Sequence, residues 1–379
     1  MFKLLIREVY MTKTTKKVSW QDMLFWLGVT IVLLLSTKKS FSLPFYWDTA
    51  WFLVPAGYAI AQTGNLFSYF GGSDYPHTFL LPLIIAFIIK LTTNHLFFIH
   101  LLSLFLSLFF LVVMYFLGKS IASKKIGQAL VVLFLTNPLF IAQTHLVYFE
   151  IVGAALRFLS VIFLIKKKYF SFTLIAILAI LFRVDNALFI TLAAGVYLFL
   201  EKGITNKLSW LIRYISPLPV MTVVWLYIHA SIAGWWVYSP ERFYDEQPWQ
   251  SLWDAITYIT VRQGRYLISG SSVVMLMFSK KLIKTIKEVI TLALVLGAVS
   301  LPTLLMITKL GYLLPRHILP ILPVFYLLFL ALLQVFIKKP MVFWAIIILL
   351  SIVQYQYRYD CYAGNLEDCL SVLNLIKQQ

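Results

Sequence analysis

Residues 79–91 read FLLPLIIAFIIKL, and the topology of the whole chain turns on whether this stretch crosses a membrane. It is interrupted after 13 residues by Thr92, Thr93, Asn94 and His95. A spanning helix needs about 20 apolar residues, or about 17 at the short end. We therefore read the stretch as an interfacial or re-entrant helix. The loop charges require the same reading. Were it to span, Lys119, Lys124 and Lys125 would fall outside, and every later connection would invert.

Outward from that stretch the chain is a series of apolar runs, and we expect an all-α polytopic membrane protein with about 11 transmembrane helices. Span 1 covers about 20–37. Residues 38–94 form the first extracytoplasmic loop, with interfacial helices in it. Spans follow at about 96–117, 127–143, 148–165, 169–182, 186–200 and 209–230. A long outer loop, 231–267, comes next, rich in Trp, Tyr and charge. Further spans at about 266–279, 289–308, 317–337 and 341–355 leave a short outer tail, 356–379, with an amphipathic pattern. Lysine-rich connections fall at every second crossing: Lys13 to Lys17, Lys119 to Lys125, Lys166 to Lys168, Lys280 to Lys287, and Lys338 with Lys339. The other connections hold Asp48, Asp74, Glu150, Asp185, the 241–254 cluster and the acidic tail. Positive loops stay cytoplasmic, so the N-terminus is inside and the carboxylates face outward.

The composition agrees. With 61% hydrophobic residues, 12% charged residues and a mean hydropathy of +0.87, the chain lies far outside the soluble range. A net charge of +17 suggests nucleic acid at first sight. The basic residues sit in short loops between apolar runs, however, as topology signals do, so nucleic acid is rejected as a partner. We expect one integral membrane domain, 1–379, whose first span is not cleaved. Cys361 and Cys369 lie close together on the outer side, where a disulfide and two free thiols are the alternatives.

The first outer loop is the richest in chemistry. It reads Phe45-Tyr46-Trp47-Asp48-Thr49-Ala50-Trp51, then a helix-like run to Gly64, then Asp74-Tyr75-Pro76-His77. A carboxylate beside an indole at an interface is partly desolvated and holds a proton more tightly than in water, which suits a general base acting on a hydroxyl. The plain alternative is an Asp capping the next helix. Glu150 opens a span as an outer carboxylate, and Arg157 is a charge inside that span, a placement that usually marks a polar cavity. Arg183 beside Asp185, and Arg316 beside His317, stand at the outer ends of spans. Arg262 and Arg265 are further basic candidates beside Arg183 and Arg316, in a loop whose aromatics and charges suit sugar stacking. No His, Cys, Asp or Glu cluster has metal-ligand spacing.

These residues resemble the GT-C superfamily of membrane glycosyltransferases, in particular the protein O-mannosyltransferase and lipid A aminoarabinose transferase branch. The resemblance rests on Asp48 just after the first span, the helix Trp51 to Ala61 ending at Thr63-Gly64, and the run Tyr75-Pro76-His77-Thr78-Phe79-Leu80. It continues through Leu117-Gly118-Lys119 and Thr136-Asn137-Pro138-Leu139-Phe140, covering roughly residues 20–200. Residues 311–323, with Pro315-Arg316-His317, add a late-span motif.

The resemblance implies an inverting transfer of a hexosyl or pentosyl group from a polyprenyl-phosphate donor. The acceptor is a hydroxyl or phosphate on a glycan, lipid or protein, reached at the extracytoplasmic face. The lack of organellar signals and the compact chain point to a bacterial cytoplasmic membrane, with the endoplasmic reticulum as the alternative. Asp48 is then the base. Glu150 stands where many relatives carry Asp, and binds acceptor or completes an acidic pair with Asp48. Arg183 and Arg316 face the donor phosphate. His77, Trp47, Tyr75 and His317 complete the donor-binding set. No cofactor is expected, a divalent cation between Asp48 and Glu150 being the less favoured option. The rival readings are a transporter or lipid-linked-sugar flippase, or a non-catalytic accessory subunit.

Overall fold

A computed structural model of the protein describes residues 19–45, 49–68, 78–236, 248–277, 294–310 and 315–356. Trp47, Asp48, Tyr75, His77, residues 237–247 of the outer loop, residues 278–293, both cysteines and the tail lie outside the described residues. The described residues form helices and turns, with no strand among them.

The first helix, α1 (Trp20–Thr37), starts where Ser19 accepts the Asp22 amide at 3.1 Å and donates its hydroxyl to the Asp22 carboxylate at 2.9 Å. After a 3₁₀ turn at Lys38–Ser42, two short helices follow. A π turn over Thr49–Leu53 leads into α2 (Val54–Thr63), which ends on Gly64 at φ +71°, the left-handed closure that favours glycine. The stretch that opened the sequence analysis is α3 (Leu80–Leu91). At 12 residues it is about 18 Å long, well short of a bilayer core. It packs against α2, where a Cβ on Gly57 would lie 2.6 Å from Ile85 Cγ2. No other residue type allows that approach.

Helix α4 (His95–Ile121) runs 27 residues and turns back at Ser123, which caps α5 (Lys124–Leu135). Where α4 and α5 meet, two glycines face each other. A Cβ on Gly118 would sit 2.7 Å from the Gly127 Cα, and one on Gly127 would collide with the Tyr115 carbonyl oxygen. In lipid, helices associate through close packing rather than through a hydrophobic drive, and small residues make that packing available.

The expected span 127–143 is not one helix. It is α5 followed by α6 (Pro138–Thr144), bent by 71°. Pro138 cannot donate into the preceding turn, and the Asn137 side chain caps the new helix by accepting the Phe140 amide at 3.1 Å. The break is pinned from outside, because Asn137 donates to the Tyr326 hydroxyl at 2.7 Å, which in turn donates to Gln354 at 2.9 Å.

Helix α7 (Phe149–Ile165) is the hub. Fourteen of its 17 residues are buried, against α4, α8 (Tyr169–Phe182) and α9 (Asn186–Leu200). The expected span 209–230 runs from Lys207 to Ala233 through a π turn into α10 (Pro217–Ala233).

The outer loop 231–267 departs from expectation too, because it contains a helix, α11 (Pro248–Thr260). Ala255, Tyr258 and Ile259 face inward while Trp249 and Trp253 are exposed. The long polar composition of the loop hid that one-sided pattern. Helix α12 (Tyr266–Met277) follows. The expected span 289–308 is interrupted before Pro302, where α13 (Pro302–Leu310) begins. Helices α14 (Leu322–Phe336) and α15 (Pro340–Gln356) complete the described chain.

Three described helical stretches are long and apolar enough to cross a membrane by themselves: Trp20–Thr37, His95–Ile121 and Lys207–Ala233. The bent pair makes a fourth if taken as one span, and seven further apolar helices have 10–17 residues. Ion pairs sort the ends of these helices. Lys124 meets Asp22 at 2.7 Å, and Lys167 meets Glu201 at 3.2 Å. The lysine-rich connections therefore carry their own counter-charges, while Glu150, Arg183, Asp185 and Arg316 gather at the opposite end of α7.

Candidate active site

Four of the site residues named from sequence come together at the start of α7. Glu150 lies in its first turn and is 7% exposed. Arg183, in the connection between α8 and α9, donates from Nη1 to Glu150 Oε1 at 2.8 Å and from Nε to Asp185 Oδ1 at 2.9 Å. Arg316, on the 3₁₀ turn Pro315–Ile318, brings Nε within 3.4 Å of the same Glu150 oxygen. Its guanidinium lies 5.0 Å from the centre of the Tyr148 ring. His317 lines the same cleft.

Gly153 makes the Glu150 contact available. A Cβ there would already stand 3.4 Å from Asn186 Nδ2 and 3.7 Å from Arg183 Cδ, so a side chain larger than alanine would displace the arginine. Burial acts against the charge on Arg183, but Asp185 and then Glu150 outweigh it, and its pKa is raised. Arg183 is thus a fixed cation between two carboxylates, with two of its nitrogen donors already committed.

Below this cluster the cleft continues between α7, α9 and α13. It is open at its mouth, with an internal volume of about 30 Å³. Arg157 stands seven residues beyond Glu150 on the same helix, about 10 Å further in. It donates from Nε to Asn186 Oδ1 at 2.9 Å and lies 4.0 Å from the centre of the Phe189 ring. Asn186 is itself oriented by donating to the Ala179 carbonyl at 2.9 Å.

The segment around Asp48 is held from both sides. His100 Nε2 is 2.9 Å from the Leu43 carbonyl oxygen, and the His100 ring stacks on Phe45 at 5.3 Å. On the far side, Thr49 Oγ1 donates to the Val147 carbonyl at 3.2 Å. His100 escaped the sequence reading, although an ionisable residue inside an apolar span is a signal. Asn186 and Thr303 left none, since each reads as an ordinary helix-start residue.

Arg265 is a correction. It is 0% exposed, and donates to the Tyr258 carbonyl from Nε at 2.8 Å and from Nη2 at 2.6 Å, with Nη1 on Gln263 Oε1 at 2.9 Å. It closes the turn after α11 instead of meeting a sugar, because the five donors of its planar fork can satisfy several carbonyl-type acceptors at once. Of the loop aromatics, Trp235 packs on His229 at 4.4 Å. Among the described residues no group of three His, Cys, Asp or Glu side chains is placed to hold a metal ion, and the Asp48 side of a Glu150 site lies outside them.

No protein-family model matches the chain, and no curated protein matches it. Solved structures do. The crystal structure of ArnT from Cupriavidus metallidurans bound to undecaprenyl phosphate matches with a TM-score of 0.62 at 14% identity, over 88% of this chain and 63% of that one. The chain has an ArnT-like fold. The apo structure of the same ArnT matches with a TM-score of 0.58 at 14% identity, over 82% of this chain and 59% of that chain. The chain therefore spans about three fifths of the length of that ArnT. The charged cluster stands at the N-terminal end of the hub helix, next to the Thr49–Val147 contact.

Proposed function

We propose that the protein is an inverting glycosyltransferase that moves a sugar from a polyprenyl-phosphate donor to a hydroxyl or phosphate acceptor. The observation that carries this reading is the meeting of Glu150, Arg183 and Arg316 beside the Thr49–Val147 tether, on an ArnT-like fold. The undecaprenyl phosphate bound to the matching ArnT supports a lipid phosphate as the donor's carrier. On this reading there are eleven spans, the N-terminus is cytoplasmic, and the cluster faces the extracytoplasmic side.

Asp48 takes the proton of the acceptor as it attacks the anomeric carbon. Inversion follows from attack on the face opposite the leaving phosphate. Arg316 and Arg183 supply positive charge where negative charge grows on that phosphate. Glu150 fixes both guanidinium groups. Trp47, Tyr75, His77 and His317 contact the donor's sugar and phosphate.

The test is transfer from radiolabelled polyprenyl-phosphate sugars, followed by thin-layer separation, in membranes bearing wild type or Asp48→Asn. Label moving to a new product with wild type alone supports the reading. Equal transfer by Asp48→Asn would remove the base. Lipid-linked sugar crossing proteoliposomes without any product would replace transferase with flippase.

A further inference from the structure

The cleft beneath Glu150 holds a positive charge that no carboxylate among the described residues touches. Arg157 is 3% exposed, inside the apolar helix α7. Its partners are neutral: Asn186 Oδ1 at 2.9 Å, the Val299 carbonyl at 3.5 Å and the ring of Phe189. Arg183 above it, by contrast, is clasped by two carboxylates. Burying a guanidinium within an apolar bundle is costly, and such charges face cavities that use them.

A second group faces the same space. Thr303, at the start of α13, lines the cleft, is 7% exposed, and its Oγ1 has no hydrogen-bond partner among the described residues. Buried hydroxyls without partners are rare, because each forfeits the water it left behind. A planar cation and a hydroxyl donor on one cavity form a receptor for an oxyanion. Among the charged residues lining the cleft, Arg183 is already clasped by Glu150 and Asp185, which leaves Arg157 as the cation whose charge is open to a ligand.

We propose that Arg157 and Thr303 form an anion subsite at the floor of the cleft, taking a phosphate or carboxylate group of a substrate. The subsite itself does not depend on Asp48 chemistry; only the naming of the carrier rests on the transfer reading.

The full chain, purified in detergent, is titrated with two probes, undecaprenyl phosphate and glucose 1-phosphate. Thr303→Val keeps the shape and removes the hydroxyl, so folding is preserved. We expect it to weaken at least one probe about tenfold, with Thr303→Ser restoring the affinity. Arg157→Gln weakens the same probe by about a hundredfold. Loss of the lipid probe assigns the anion to the donor. Loss of the soluble probe alone assigns it to a second substrate. Binding of both probes unchanged in Thr303→Val, or of neither probe by wild type, overturns the subsite. A wild type inactive in transfer whose probe binding still falls in Thr303→Val would sink the transfer reading and leave the subsite standing.

Discussion

The hydroxyl of Thr49 donates to the backbone carbonyl of Val147 at 3.2 Å. This single bond ties the residue after Asp48 to the loop that opens into Glu150, across 98 positions of sequence. Both groups are buried, so water cannot replace the bond when the hydroxyl is lost. Thr49→Val should lower the turnover of sugar transfer about tenfold while leaving the amount of folded protein unchanged, since a small misplacement of a reacting group is costly. Wild-type turnover in that variant would show that the tether does not position the site.

The Glu150–Arg183–Asp185 arrangement predicts a non-additive response. Arg183→Gln leaves Asp185 without its cation and Glu150 with only the longer Arg316 contact, and should destabilise by about 3 kcal/mol, since breaking a buried pair leaves charge under-compensated. Adding Glu150→Gln should recover part of the loss, because it removes one of the two weakened carboxylates. Thermal unfolding of both variants, in detergent, reads this directly. A double variant less stable than Arg183→Gln would contradict the pairing.

His145 gives a pH dependence. It sits between α6 and α7, 3% exposed, and its Nδ1 has no hydrogen-bond partner. Burial first, and then His100, push its pKa down from 6.5 to about 4. The unfolded chain takes up the proton near 6.5 and the folded chain only near 4, so the unfolded state binds more protons in between. Stability therefore falls as pH drops through that window, by up to about 3 kcal/mol at its lower end. His145→Gln should flatten the fall between pH 7 and pH 4 in an unfolding titration. A variant as acid-sensitive as wild type would assign the effect elsewhere.

The crossing of α4 and α5 should tolerate nothing larger than glycine at its closest point. Gly118→Val drives a branched side chain into the Gly127 backbone, which should cost about 1–3 kcal/mol. The expected result is a lower unfolding midpoint and reduced yield, with any folded fraction retaining its affinity for undecaprenyl phosphate. A midpoint equal to that of wild type would mean the helices part without cost.

Arg265 separates structural from functional arginines. Arg265→Gln removes three donors to Tyr258 and Gln263. It should lower the unfolding midpoint by several degrees without changing the donor KM in the folded fraction. A selective rise in donor KM at unchanged stability would return Arg265 to the binding surface.

Much was legible in the sequence because the bilayer reduces folding to a few strong rules. Apolar run lengths placed α1, α4, α7, α8, α9 and α15 within a few residues, since unpaired backbone in lipid leaves little choice but helix. The thirteen-residue run at 79–91 forms α3, a 12-residue helix bounded where the polar residues 92–95 interrupt the run. Lysine-rich connections sorted the helix ends, and the Lys124–Asp22 and Lys167–Glu201 pairs now join groups assigned to the same side. Outer charges marked Glu150, Arg183 and Arg316 as candidates one at a time. What the sequence could not supply was any relation between residues far apart in the chain. The 71° bend at Asn137 depends on Tyr326 and Gln354. The clasp of Arg183 by Glu150 depends on the space left at Gly153, and the pairing of Arg157 with Thr303 on one cleft depends on how α7 and α13 approach. Hydropathy is summed along the chain and survives any arrangement of helices, whereas charge–charge distances and unpartnered donors exist only once the helices have packed.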